Sequence, residues 1–236
     1  MTGIQTRFNT SRTAVGAASF RRVTRNVPSW ETCRVNTSAT LNTNFSTLLG
    51  RLIPSNKNSK EKIMKEIVSI VASTERGTVT SKEELSALKE RFDQLEQLPT
   101  EYDPKLLNGT WKLLWTTEKE ILFIIQDNGL ASWCGTSAGE VFQVIDLDNQ
   151  RLQNCIEFPP EGSFVVDSSL QYGPEKCSFE FKGARLNLPG KKTVNLPPLG
   201  KSRFKTLFVN QKYRLALDDR GDYLLVERVG SSSTRF

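Results

Sequence analysis

The chain has 236 residues, a formal charge of +6 and no histidine, and it is long enough to bury a sizeable core. The missing imidazole removes the commonest general base, the Ser-His and Cys-His nucleophile pairs and most zinc sites, and neither a phosphate-binding glycine loop nor an S-x-x-K signature stands in its place. Acid-base chemistry would fall to carboxylates alone, so no catalytic residue, metal or cofactor is assigned.

Residues 1–60 carry nine Lys or Arg and a single acid, Glu31, which leaves 23 basic against 25 acidic residues in the remainder. The positive charge therefore belongs to the N-terminal segment, and a near-neutral body argues against a nucleic-acid partner. An Arg-rich, Ser-rich, acid-poor beginning without a continuous apolar run has the composition of an organelle transit peptide, expected over residues 1–55 and expected to be disordered. A disordered nucleic-acid-binding arm is the alternative, and the near-total lack of acids favours the transit reading.

Over residues 60–98 the text becomes helical. Ile63, Ile67, Ile70 and Val71 form one apolar stripe opposite lysines and glutamates. After Gly77, Ser81 and Glu84 make an S-x-x-E capping box, and Leu85, Leu88, Phe92 and Leu95 continue at helical spacing until Pro99 and Pro104. Two short amphipathic helices are expected. The longest apolar run, "ILFII" at 121–125, is strand-sized and far below the roughly 18 to 20 residues of a spanning helix.

From Gly109 the period falls to two. Strands are expected at 110–117, 140–147, 151–158, 163–170, 176–182, 204–210, 213–218 and 222–229, separated by turn text such as "DLDN", "PPEG" and "DDRG". Short antiparallel strands with hairpin-length links predict a barrel or sandwich. In the last turn Asp218, Asp219 and Asp222 fill roles that turn chemistry already explains. Cys33, Cys134, Cys155 and Cys177 are too widely spaced for a disulfide framework or a zinc site and read as free thiols.

Strict alternation along the first strand places Trp111, Leu113 and Trp115 on one face. The same rule groups Leu152, Ile156 and Phe158, then Phe164, Val166 and Leu170, then Cys177, Phe179 and Phe181. The interior these faces enclose is either packed core or just wide enough for one small ligand. Its expected ligand-contacting residues are Trp115, Leu113, Phe142, Ile156, Phe164 and Phe179. If the last strand pairs antiparallel with the first, Arg228 approaches Trp111 and closes the barrel. Lys191, Lys192, Lys201, Arg203 and Lys205 could form a patch for anionic lipid headgroups or a solvated loop.

"LLNGTWKLLWTT", "GEVFQVID" and "NLPPLGKSRFKTLFVNQKYRLALDDRGDYLLVER" resemble the opening, middle and closing motifs of the plastid lipid-associated protein family, also called fibrillins or plastoglobulins. The resemblance runs from about Ile63 to Val229. It departs at Ser202 and Arg203, where the family has Gly-Trp, and at Leu217, where it has Arg; Arg214 matches a family arginine. It implies a mainly β, lipocalin-like, eight-stranded antiparallel barrel over residues 105–230, preceded by the two helices, with Gly109 and Trp111 in the G-x-W position. It further implies a non-enzymatic chloroplast protein at thylakoid or plastoglobule, binding prenyl lipids, carotenoids or other lipids. The alternative is a coat or scaffold on a membrane or lipid-body surface that supports an isoprenoid-pathway enzyme without a ligand of its own.

Overall fold

The computed structural model describes residues 56–99, 101–197, 200–232 and 236; the transit segment expected over 1–55 lies outside them. Helix α1 spans Asn56–Val71 and α2 spans Lys82–Glu96. The capping box that starts α2 is complete: Ser81 Oγ accepts from the Glu84 backbone N–H at 3.1 Å, and the Glu84 carboxylate accepts from the Ser81 N–H at 2.8 Å. Two orphan amide donors are thereby satisfied. Arg91 on α2 holds Glu66 on α1 at 2.6 Å. Among the described residues no helix is long and apolar enough to cross a membrane.

Nine strands follow: β1 Gly109–Thr116, β2 Val141–Asp146, β3 Arg151–Phe158, β4 Gly162–Gln171, β5 Cys177–Asn187, β6 Val194–Leu196, β7 Lys201–Val209, β8 Tyr213–Asp218 and β9 Tyr223–Gly230. All pairings are antiparallel, in the order β4-β3-β2-β1-β9-β8-β7-β5, and β4 pairs with β5 to close the ring of eight. The short β6 adds to the outer half of β5, at Ala184–Leu186. The barrel is thus eight-stranded as the spacing and the resemblance imply. β5 runs five residues beyond the expected end, and β6 has no counterpart in the sequence reading because "VNL" is too short to show a period.

Two cores result. Inside the barrel, Trp111, Leu113, Val141, Ile145, Leu152 and Val226 are among the buried residues of one cluster. Outside it, Met64, Ile67 and Val71 of α1 and Leu88, Phe92 and Leu95 of α2 pack on Trp115, Leu207, Phe208, Leu215 and Leu225. The helical stripes therefore find their apolar partner on the outer face of β1, β9, β8 and β7.

A strand that feeds both cores must change phase, and β1 does so through a bulge. Leu113 pairs with Val226 and Trp115 with Leu225, so Leu114 is an extra residue on the β1 side. One inserted residue turns every later side chain to the other face. Trp111 and Trp115 consequently do not share a face, correcting the strict alternation expected above. A second bulge at Leu207, between the pairs Thr206–Ala216 and Phe208–Leu215, sends both Leu207 and Phe208 to the helices.

The "ILFII" run is helical rather than extended. It forms most of α3, Lys119–Ile125, followed by the single turn α4, Leu130–Trp133. Ile124, Ile125 and Ala131 are buried with the barrel interior, so this link between β1 and β2 folds over the end of the barrel that β1 reaches last.

Candidate functional site

The barrel interior is the candidate site, and the end where β1 begins is built around Trp111. A turn of 3-10 helix, Pro104–Leu107, precedes β1, started by Asp103, whose carboxylate accepts the Lys105 N–H at 2.9 Å. The Trp111 indole donates its Nε1–H to the Leu107 carbonyl at 2.9 Å. Trp111 stands opposite Arg228 in the β1–β9 register, and the guanidinium carbon lies 4.1 Å from the indole centroid, within cation–π range. Arg228 donates through Nη2 to the Leu106 carbonyl at 2.5 Å, through Nε to Gln211 at 3.0 Å and through Nη1 to Asn108. Gly109 leaves room for that last contact: a Cβ there would fall 2.2 Å from Arg228 Nη1, on backbone with φ +155°. Burial lowers the Arg228 guanidinium below its ordinary value.

Higher in the barrel the two sides differ. On the β1, β8 and β9 side Leu113, Ala216, Leu224 and Val226 are buried, whereas on the β4 and β5 side Phe164, Phe179 and Leu186 point into the same cluster yet remain partly exposed. Ile156, opposite Phe164 in the β3–β4 register, is buried beside them. Part of this apolar surface packed against the interior cluster therefore remains accessible.

Set into this apolar lining is a charge. Arg214 on β8 is 0 % exposed. Its guanidinium carbon lies 5.2 Å from the Phe204 ring centroid and 5.7 Å from that of Trp111, and Nη2 donates to Gln143 Oε1. Nε and Nη1 have no acceptor. Desolvation pulls the group down to about 10, so it stays protonated at neutral pH. Ser168 Oγ is also buried without a hydrogen-bond partner. Cys177 belongs to the same interior cluster, and burial pushes its thiol up; burial raises Cys155 to about 12. Cys134, Cys155 and Cys177 are all free.

Of the six residues expected to contact a ligand, Leu113, Ile156, Phe164 and Phe179 line the interior. Trp115 does not: the Leu114 bulge places it under the helices, 5.8 Å from the Phe92 ring, with its Nε1–H donated to Thr80 Oγ1 at 2.9 Å. Phe142 does not either. It alternates with inward Val141 and stacks outside the barrel on Phe236, centroids 5.3 Å apart. The sequence reading gave Arg214 no role, although a charged residue alternating with Tyr213 and Leu215 on a strand apolar on both sides was a visible signal.

At the other end the link carries Phe123 and Trp133, edge to face at 6.0 Å. They are 44 % and 75 % exposed. Below them Glu118 faces Asp218, Asp222 and Arg220. Burial first, then Asp218, raises the Glu118 carboxyl to about 7. Arg220 ties the link to the β8–β9 turn through Glu120 at 2.6 Å and Asp218 at 2.9 Å.

The PAP_fibrillin family model matches residues 61–227, from α1 to β9. A relative from Arabidopsis thaliana, named probable plastid-lipid-associated protein 11, chloroplastic, is 38% identical over 178 residues, covering 72% of this chain and 81% of the relative. No solved structure gives a significant match. The matched segment takes in both helices and nearly the whole barrel, and by that match the chain belongs to the PAP_fibrillin family.

Proposed function

We propose that the protein is a non-enzymatic, plastid lipid-associated protein whose barrel holds a hydrophobic small molecule: a prenyl lipid, a carotenoid or another lipid. The observation that carries this reading is the partly uncovered interior wall of Phe164, Phe179 and Leu186 beside buried Ile156 and Leu113. Concave apolar surface with few polar groups is what small hydrophobic ligands occupy. Gly109, Trp111 and Arg228 serve as the closure of the opposite end and contribute stability rather than ligand contact. The family match and the name of the Arabidopsis relative support a plastid location, and an apolar ligand suits association with thylakoid or plastoglobule. Mass spectrometry of apolar compounds retained by the full chain after purification from plastid extract tests the reading. A stoichiometric lipid is expected, and none at any loading would count against it.

A second reading is favoured by Phe123 and Trp133. An exposed phenyl ring beside an exposed amphipathic indole is suited to the interface of a lipid surface. In that reading the protein coats a membrane or lipid body, supporting an isoprenoid-pathway enzyme, and the barrel is only a scaffold. Liposome flotation without any bound or titratable lipid would select it.

A further inference from the structure

Two guanidinium groups reach the Trp111 ring from inside the barrel, Arg228 at 4.1 Å and Arg214 at 5.7 Å. Among the described residues neither forms an ion pair. The donors of Arg228 are used on the carbonyls of Leu106, Asn108 and Gln211. Those of Arg214 are not: only Nη2 has an acceptor, while Nε and Nη1 are buried and unpaired. Glu118, Cys177 and Tyr102 influence its charge, but none of them supplies a hydrogen-bonded counter-ion. A buried cation without an anion is unfavourable, and aromatic rings offset only part of that cost. An anion with oxygen acceptors would satisfy both the charge and the two free donors.

We infer that Arg214 anchors the carboxylate of a long-chain fatty acid or similar single-chain amphiphile, whose tail lies along Ile156, Phe164 and Phe179. This rests on the reading of the barrel as a ligand site and specifies which ligand class it takes. A carboxylate matches the planar guanidinium and brings one negative charge, whereas a phosphate would bring more charge than the donors of a single arginine can compensate in an apolar interior. The Ser168 hydroxyl, buried without a hydrogen-bond partner, faces the same interior and can accept from or donate to a polar head.

The full chain is titrated with oleate, methyl oleate, oleyl alcohol and oleyl phosphate, and the same series is run on Arg214→Met and Arg214→Lys. Oleate should bind about tenfold or more tighter than its ester, the difference expected for a charge-assisted hydrogen bond. Arg214→Met should bring oleate to the level of the ester, and Arg214→Lys should retain part of the preference. Should Arg214→Met fail to fold by circular dichroism, the Arg214 Nε–H signal in a nitrogen–proton correlation spectrum of the wild-type chain gives the answer, shifting with oleate and not with the ester. Equal binding of oleate and ester overturns the anchor while leaving the barrel as a lipid site. Tighter binding of oleyl phosphate overturns the carboxylate. No binding of any of the four overturns both the anchor and the reading beneath it.

Discussion

Trp111 and Trp115, four residues apart on one strand, face opposite sides of the barrel wall: the first is in the interior cluster and the second lies beneath the helices. The cause is the single extra residue Leu114. The consequence is a division of labour, since one indole packs in the barrel interior and the other fastens the helical layer to its outer face.

Trp115→Ala should therefore act on stability. Trp115 is 1 % exposed, and removing a buried indole costs about 3 to 5 kcal/mol. Chemical denaturation should register that loss, while lipid affinity, compared under conditions where the variant is folded, should change less than twofold on the order of error. A large drop in affinity with unchanged stability would return Trp115 to the ligand site.

Gly109→Ala tests whether Gly109, Trp111 and Arg228 close the barrel, as proposed. The new Cβ would meet Arg228 Nη1 and force the guanidinium off the Asn108 and Leu106 carbonyls. Overpacking of this kind costs about 1 to 3 kcal/mol. Arg228→Met should lose a similar amount, and the two changes together should cost less than their sum, because both release the same contacts.

Glu118 makes stability depend on pH in a definite direction. Its folded value, about 7, lies above the ordinary 4.5, so between these values the native state holds the proton that the unfolded chain has released. Stability then falls as pH rises through that window and levels off above about 7, by at most about 3 kcal/mol. Glu118→Gln should flatten this segment of the profile in urea denaturation. A wild-type profile rising through the window, or one unchanged in the variant, would contradict the assignment.

Phe123→Ser with Trp133→Ser separates surface attachment from ligand binding. Flotation with liposomes should drop, because the exposed edge-to-face pair is lost, while titration of the interior with a soluble lipid analogue should be unaffected. Unchanged flotation would move the lipid contact elsewhere on the surface.

How far the sequence could be read depended on whether the deciding contact was local. The capping box at Ser81 and Glu84 and the helical stripe around Ile67 are set by neighbours within a few turns, and both are present in the structure. Where strands are regular, alternation placed Leu152, Ile156 and Phe158 on one face and Phe164 with Leu170 on another. It failed for Trp115 because a bulge resets the phase, and the only trace in the text is the consecutive apolar pair Leu113-Leu114. A similar run, Leu207-Phe208, marks the bulge in β7. Phe142 was misplaced for another reason: it is covered by Phe236, a partner with no local signal. The "ILFII" run was read by length alone, and its helical state follows from needing one face on the barrel and another, at Phe123, in solvent.

In the proposed function the barrel interior, not its outer face, holds a hydrophobic molecule. Titration of a neutral prenylquinone into the wild-type chain, Phe179→Asp and Phe142→Asp compares an inward aromatic position on β5 with an outward one on β2. Saturable binding by the wild type is expected, with loss of binding in Phe179→Asp with the fold intact and wild-type affinity in Phe142→Asp. Loss of binding in Phe142→Asp alone, or equal binding by all three, would contradict it.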